Sequence, residues 1–405
     1  METSVSNFQR RFQSTDISTP EVTPETTSEN SPEVDSSASV ESDSYECFEE
    51  QMEKIYFLKS QGYPCDTKIV HSENDAQKKL FKEREFVTTF FASEKKKRMS
   101  SSLDFMDIDT GCKIFSEPLS IFSGAVASAP GRRAFMDDAY CSFNFEVAIN
   151  GVSYPVVVTA LFDGHIHDTK RLQDLKLDCA LFCRDNLESA LKEALNLFCK
   201  TGRDLEVFNA LKIASVFLDL KYKNYAKNII PIEKDNFYGT TALISMFFKE
   251  KVWIANVGDS RALTSNPNGC ELHTYDAKAK DGRFKKSITK REGTVARSGK
   301  IAARGIGLSV CRAFGDEYLR NAFSKPITSR PKITDFNLDE LRNPSSFLIL
   351  ACDGIFDVLS TQEVHEIVQQ CASQGKTVEE ISSKIVSIAY ENGSRDNLTA
   401  IVLPL

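Results

Sequence analysis

The sequence has no run of about 18 consecutive apolar residues, so it offers no candidate for a membrane-spanning helix. Met1 to Thr15 is polar and lacks the apolar stretch of a secretory signal. The 11 cysteines are scattered, odd in number and include no C-x-x-C pair, which argues against a zinc ribbon or a dithiol redox site. We therefore expect a protein of the cytoplasm and/or the nucleus that is not secreted and has no membrane partner.

An excess of positive charge is also missing. Residues 1–45 hold nine acids and two arginines, a net charge of −7, and the other 48 acids and 48 bases of the chain balance each other. A neutral body offers no general electrostatic attraction to the phosphates of DNA or RNA. We expect no nucleic-acid partner.

The first 110 residues differ in composition from the rest. Residues 1–45 are rich in Ser, Thr, Glu and Pro and poor in apolar residues, so we predict a disordered acidic tail. Apolar residues recur at helical spacing from Cys47 to Leu58 and from Ala76 to Phe91, which predicts a helical N-terminal extension over residues 46–110. The basic run from Lys95 to Arg98 fits either a nuclear localisation signal or a solvated helix end.

Beyond about Phe115, short apolar runs typical of buried strands begin or end at acidic residues. The runs are Val156–Phe162 before Asp163, Val252–Val257 before Gly258-Asp259, Phe347–Cys352 before Asp353, and Leu398–Leu403 after Asp396. Stripes of apolar residues at i+3/i+4 spacing predict helices between the strands. Capping-box pairs predict the starts of two more helices, at Ser360 with Glu363 and Thr377 with Glu380.

A single Asp-Gly at a strand end is ordinary turn chemistry. Four such carboxylates, together with the Asp137-Asp138 pair, suggest something more if the strand ends converge, because neighbouring carboxylates disfavour each other's ionised form. A bound divalent cation would compensate them. Oxygen ligands without a Cys/His set suit Mg²⁺ or Mn²⁺.

Seven segments resemble, in order, the motifs of the metal-dependent type 2C serine/threonine protein phosphatases. They are Arg133 to Asp138, Leu161 to His165, Tyr238 to Ala242, Ala255 to Ala262, Leu308 to Asp316, Leu350 to Leu359 and Ser394 to Asn397. The resemblance runs from about Gly131 to the C-terminus, and we assign residues 111–405 to the catalytic domain. It implies an α+β fold, a four-layer αββα sandwich of two central antiparallel sheets flanked by helix pairs, with a dinuclear metal site at one edge.

The same resemblance implies roles for individual residues. Asp163 would bridge two Mg²⁺ or Mn²⁺ ions, and the carbonyl of Gly164 would bind one of them. Asp353 and Asp396 would hold one ion and Asp137 the other. Asp138 and Asp259 would orient metal-bound waters, and Asp259 with Asp357 is the implied site of a weaker third ion.

Arg133 and His165 complete the implied chemistry. A planar guanidinium binds two phosphate oxygens at once, which suits Arg133 to the substrate phosphate. A serine or threonine alkoxide needs a proton to leave, and His165 is the best-placed general acid. Outside such a set of motifs, the arginine would be interpreted as a surface ion pair and the histidine as a turn residue. We interpret Arg312 and Asp316, also in a motif, as bracing residues without a chemical role.

Three departures from the family pattern stand out. The family has two glycines after the Asp-Gly-His, where this chain has Ile166-His167, so His167 is an alternative proton donor. Asp137 stands where the family usually has the longer Glu. A flap over residues 276–305 carries ten basic residues and three acids, which fits either docking of acidic phosphoproteins or a solvated flexible loop.

The function predicted from these features is Mg²⁺/Mn²⁺-dependent hydrolysis of phosphoserine and phosphothreonine in proteins by a metal-activated water, with no covalent phosphoenzyme. The main alternative is a pseudophosphatase that keeps the fold as a binding or scaffold protein. A phosphatase of small molecules with the same fold is the second alternative.

Overall fold

The computed structural model describes residues 105–107, 113–119, 124–166, 178–229, 238–291, 293–303, 306–317, 319, 326–341, 343 and 345–405. All of them lie in one compact unit, Ser100–Leu405. The predicted acidic tail, the two helices predicted in the N-terminal extension and the basic run from Lys95 lie outside the described residues. Within the ranges given, no helix is long and apolar enough to cross a membrane.

Strands dominate the centre of the unit. They are β1 Phe105–Asp107, β2 Lys113–Pro118, β3 Ala125–Ala129, β4 Ala139–Ile149, β5 Val152–Phe162, β6 Gly164–Ile166, β7 Tyr238–Thr240, β8 Ala242–Phe248, β9 Lys251–Val257, β10 Arg261–Asn266, β11 Gly269–Leu272, β12 Ile301–Ala303, β13 Ile306–Leu308, β14 Phe314–Gly315, β15 Lys332–Asn337, β16 Phe347–Ala351 and β17 Leu398–Pro404.

The strands form two large antiparallel sheets. One has the order β1-β2-β3-β17-β16-β10-β11 and the other β15-β9-β8-β5-β4. A small sheet has the order β14-β7-β6, and β12 pairs with β13. Strand β1 of the seven-stranded sheet precedes residue 111, where the sequence predicted the catalytic domain to begin. The division into domains stays a prediction.

Helices cover both outer faces of the large sheets. They are α1 Cys179–Phe198, α2 Asp204–Ile229, α3 Gly282–Lys290, α4 Asp353–Phe356, α5 Thr361–Ser373 and α6 Val378–Glu391, with a 3₁₀ turn at Leu338–Leu341. The pair α1 and α2 packs against the sheet of β4 and β5, and the pair α5 and α6 packs against the sheet of β3 and β17. The predicted αββα sandwich is confirmed.

The main core fills the space between the sheets and below α5 and α6. Leu161, Leu243 and Ile254 from one sheet join Leu348 and Ile401 from the other, and all five are fully buried. Burial of such side chains contributes roughly 1.5–3 kcal/mol each. Both predicted capping boxes are present, at Ser360 with Glu363 and at Thr377 with Glu380, so they fix the starts of the two helices that cover this core.

Candidate active site

The predicted carboxylates lie where strand ends of both large sheets meet. Asp163 follows β5 and Asp259 follows β9 in the five-stranded sheet, whereas Asp353 follows β16 and Asp396 precedes β17 in the seven-stranded sheet. Asp138 immediately precedes β4. The site therefore depends on the two sheets stacking with these ends on the same side.

Electrostatics show how close these groups are. Burial raises the pKa of Asp163 well above its usual range, and four neighbouring carboxylates raise it further: Asp353, Asp138, Asp259 and Asp396. Burial also raises the pKa of Asp353 well above its usual range, and the charge of Asp259 raises it further. These five carboxylates therefore lie close enough for their charges to oppose one another.

Two glycines allow the segments of the site to approach closely. A Cβ at Gly164 would lie 2.3 Å from the backbone oxygen of Asp137, and a Cβ at Gly354 would lie 2.0 Å from the backbone oxygen of Asn397. Neither distance is possible for a real side chain, so only glycine lets these backbones pass each other. Gly164 thereby brings Asp163 beside the Asp137 segment.

The Asp137-Asp138 segment is held by Asn397, which immediately precedes β17, and by Thr399 within β17. The side-chain oxygen of Asn397 accepts from the Asp137 N–H at 2.8 Å, and its amide donates to the carbonyls of Pro130 and Phe135 at 3.0 and 2.8 Å. Thr399 donates to Asp138 Oδ2 at 2.6 Å. Sequence reasoning gave Asn397 and Thr399 no role, because the contacts join residues about 260 positions apart.

Asp138 is a buried carboxyl, 8% exposed. Burial raises its pKa to about 7 against the hydrogen bonds from Thr399 and Cys352. Its second oxygen, Oδ1, has no hydrogen-bond partner among the described residues. A buried oxygen in this state needs a cation or a water, which agrees with the role predicted for Asp138.

Arg133 lies at the rim of the site with its side chain 53% exposed. Its Nη2 is 2.7 Å from Asp396 Oδ2, and its Nε donates to the carbonyl of Arg395 at 3.1 Å. The guanidinium therefore neutralises Asp396, a predicted metal ligand. Its predicted role on the substrate phosphate stays a prediction.

Lys278 lies where the sequence predicted a weaker third ion. Its Nζ is 3.6 Å from Asp259 Oδ2 and 3.4 Å from Asp357 Oδ1. Burial disfavours the ammonium, but Asp259 and Asp357 outweigh it and raise the pKa of Lys278. Burial raises the pKa of Asp259 to about 6, and Lys278 limits the rise. From the sequence Lys278 is one of the ten basic residues of the flap, and the structure places it beside two carboxylates of the site.

His165 is the central residue of β6, and its Nε2 lies 2.8 Å from Asp316 Oδ2. Burial disfavours the charged ring, but Asp316 outweighs this effect and the pKa of His165 is raised. Ile166, the last residue of β6, pairs with Tyr238 of β7. Its backbone is therefore extended, a conformation that a β-branched residue accepts readily. His167, the alternative donor, lies outside the described residues.

A small cavity opens beside His165. Its lining includes Asp178, the N-cap of α1, whose pKa is raised by burial to about 6. The other lining residues are Asp137, Gly164, His165, Cys179, Tyr238 and Gly239. Sequence reasoning missed Asp178, although an Asp at the start of an apolar helical stripe is the usual signal of an N-cap.

The carboxylate set suits a hard divalent cation. Within the described part of the chain, no three Asp, Glu, His or Cys side chains are already arranged as a closed set of metal ligands. The donors are nevertheless oxygens of the right kind, Asp163 and Asp353 have pKa values raised by burial and by neighbouring carboxylates, and Asp138 keeps an unsatisfied oxygen. The residues fit Mg²⁺ or Mn²⁺, and the assignment of each ligand stays a prediction.

A family model described as protein phosphatase 2C matches residues 126–398. The chain belongs to the protein phosphatase 2C family. Membership makes it a protein phosphatase and hence a hydrolase, as the motifs predicted. The match spans the five-stranded sheet and every described residue predicted to hold a metal ion or to act on the substrate, whereas β1, β2 and most of β17 lie outside it.

Similar proteins match about 70% of the chain. Probable protein phosphatase 2C 45 of Oryza sativa subsp. japonica is 28% identical over 284 residues, covering 70% of this chain and 87% of that protein. Protein phosphatase 1L of Bos taurus is 27% identical over 282 residues, covering 69% and 71%. Among solved structures, a serine-threonine phosphatase 2C from Toxoplasma gondii gives a TM-score of 0.52 at 18% identity, covering 75% of this chain and 98% of that chain, and supports the fold alone.

Proposed function

We propose that the protein hydrolyses phosphoserine and phosphothreonine in proteins, with two Mg²⁺ or Mn²⁺ ions as cofactors and without a covalent phosphoenzyme. The observation that carries the proposal is the group of carboxylates from both sheets whose pKa values are raised by burial and by one another. Such a group is costly without cations and suited to holding them. The predicted place of action, cytoplasm and/or nucleus, rests on the sequence alone.

In this proposal Asp163, the Gly164 carbonyl, Asp353, Asp396 and Asp137 hold the ions. When bound, the ions supply hydroxide from water at neutral pH and positive charge next to the phosphoryl oxygens. The guanidinium of Arg133 binds the phosphate at the rim of the site. His165 gives a proton to the leaving alkoxide of serine or threonine.

Asp138 and Asp259 have supporting roles. Both are almost fully buried, at 8% and 2% exposure. As buried acceptors they orient water in the site by accepting its hydrogen bonds. Asp259 is in addition paired with Lys278, which limits the unbalanced negative charge on that side. A weaker third ion between Asp259 and Asp357 would have to share these carboxylates with the ammonium.

Purified full-length protein is expected to hydrolyse a phosphothreonine peptide and p-nitrophenyl phosphate in Mn²⁺ or Mg²⁺. Activity should disappear in EDTA and return when excess Mn²⁺ is added, because the carboxylate site is the only source of the hydroxide in this proposal. Phosphate release measures both reactions. No turnover with any divalent ion would contradict the proposal and favour the scaffold alternative, whereas faster turnover of phosphorylated metabolites than of peptides would favour a small-molecule phosphatase.

The described part of the flap contains regular secondary structure and buried side chains. Helix α3 and the hairpin β12-β13 pack around a separate apolar cluster that includes Phe284, Ile288, Ile301 and Leu308. Arg283 is paired with Asp281. The other exposed basic side chains of its described part are Lys280, Lys285, Lys286, Lys290, Arg297 and Lys300. We propose that this surface docks acidic phosphoproteins.

Replacing Lys285, Lys286 and Lys290 together by glutamine is expected to raise KM for an acidic phosphoprotein about 3- to 10-fold at low salt, because long-range attraction is lost. The difference should shrink at high salt, which screens exposed charges. Turnover of p-nitrophenyl phosphate should not change. The matched control replaces Lys200, Lys227 and Lys384, three exposed lysines outside the flap, by glutamine; an equal rise in KM for the control would show that net charge alone matters.

A further inference from the structure

The small sheet brings three distant parts of the chain together beside the candidate site. In its register His165 of β6 lies opposite Gly239 of β7, and Gly239 lies opposite Gly315 of β14. His165 and Gly315 therefore flank Gly239 on its two sides. Asp316 is the residue that follows β14.

The side chain of His165 reaches Asp316 across Gly239. The distance from His165 Nε2 to Asp316 Oδ2 is 2.8 Å. A Cβ at position 239 would lie 2.4 Å from each of these two atoms. Any residue other than glycine at this position would push the imidazole and the carboxylate apart. The pair therefore needs the space that the missing side chain of Gly239 leaves, and we call this space the gap.

Asp316 is held rigidly by its surroundings. It is fully buried, its N–H donates to the Tyr238 carbonyl at 2.9 Å, and its φ is +51°. This left-handed conformation is uncommon outside glycine, aspartate adopts it more often than most residues, and here the buried backbone hydrogen bond holds it. The carboxylate is therefore in a fixed position before a substrate arrives.

Helix α2 supports this arrangement from behind. Asp219, which is 1% exposed, accepts from the Gly315 N–H at 2.9 Å. Lys223, one turn later, lies 3.3 Å from Asp219 and 3.5 Å from Glu317. A hydrogen bond to Gly315 and an ion pair to Glu317 thus anchor the residues on both sides of Asp316 to the helix.

We propose that Asp316 is a positioning residue for His165, and that Gly239 leaves the gap through which the two side chains meet. The inference rests on the proposed function, in which His165 protonates the leaving alkoxide. A carboxylate bonded to one ring nitrogen fixes the plane of an imidazole, as the outer partners of functional histidines do elsewhere. In this proposal Asp316, interpreted from the sequence as a bracing residue, acts in catalysis by positioning His165.

Asp316→Ala is expected to lower kcat for a phosphothreonine peptide about 10- to 100-fold, with KM and p-nitrophenyl phosphate turnover little changed, because only the poor leaving group needs the acid. Asp316→Asn keeps an oxygen that can accept from the ring and should recover part of the loss. Combined with His165→Gln, Asp316→Ala should add no further loss. The control Asp335→Ala removes a carboxylate of the ion pair with Lys251 and should leave both rates unchanged.

Gly239→Ala tests the gap and should reproduce the selective loss. Its control is Gly282→Ala, where an added Cβ meets nothing within 4 Å. If Asp316→Ala does not fold, the ring N–H of His165 in the wild-type protein still tests the contact: it should give a strongly downfield proton resonance, assigned by its loss in His165→Gln.

Three results would overturn the positioning role: equal losses on both substrates for Asp316→Ala and Gly239→Ala, additive losses in the double variant, or no downfield resonance from His165. In the first two cases the wild type remains active in Mn²⁺ and the proposed function stands. Loss of the proposed function would show itself differently, as a wild-type protein without Mn²⁺-dependent turnover.

Discussion

Asp353→Asn is expected to lower kcat on any phosphate monoester by more than about 100-fold while the fold survives. Changing a group that only supports a metal ligand typically costs about 10- to 100-fold, so losing an anionic ligand should cost more. Asparagine has nearly the same volume as aspartate, and the short helix α4 that begins at this residue can form with either. Phosphate release at saturating Mn²⁺ measures the loss.

A thermal measurement separates loss of metal from loss of structure. A carboxyl whose pKa is raised on folding destabilises the folded state at a pH that ionises it, so the folded protein without metal gains stability when Asp353 loses its charge. In EDTA the variant is expected to melt at or above the wild-type Tm. Added Mn²⁺ should raise the wild-type Tm through ligand binding and have a much smaller effect on the variant.

The matched control is Asp204→Asn. It removes a charge from the ion pair between α2 and Lys251, which begins β9 and so lies at the opposite end of that strand from Asp259. It should keep wild-type activity and the full Tm response to Mn²⁺. Wild-type activity of Asp353→Asn in saturating Mn²⁺ would show that Asp353 is not a metal ligand.

His165→Gln is expected to slow a phosphothreonine peptide by about 10²- to 10⁴-fold, the range typical of general acid catalysis. The loss on p-nitrophenyl phosphate should be far smaller, because its phenolate leaves without a proton. Comparing kcat for the two substrates in the same Mn²⁺ buffer measures this selectivity.

His365→Gln is the control for this change. His365 lies on α5 and bonds Ser265 at 2.8 Å, so it should leave both rates unaltered. Equal losses on the two substrates for His165→Gln would mean that His165 supports the structure or the metals. A selective loss in His167→Gln instead would identify His167 as the donor.

The sequence could predict the strand ends because their signal is local. An apolar, β-branched run that stops at an Asp-Gly identifies a buried strand and the carboxylate that follows it, as with β5 and Asp163. The same holds for the capping boxes, whose partners are three residues apart. The αββα arrangement could be predicted only from the family resemblance of the ordered motifs, because apolar periodicity alone does not say how sheets stack.

The contacts that complete the site could not be predicted in this way. His165 and Asp316 are 151 residues apart, and Lys278 and Asp357 are 79 apart. The first pairing depends on the strand order of the small sheet and the second on how the flap packs against the site, and both depend on the direction that each side chain takes. No local pattern in the sequence distinguishes Lys278, which enters the site, from Lys285, which faces solvent.

The separate apolar cluster of the flap has a consequence for protein engineering. Its buried residues, such as Phe284 and Ile288, do not belong to the core between the two large sheets. The exposed face of α3 can therefore be redesigned, or the helix exchanged for another of equal length with the same inward-facing residues, while the scaffold that holds the carboxylates is left intact. Binding of protein substrates through this face could then be changed without changing the residues that hold the metals.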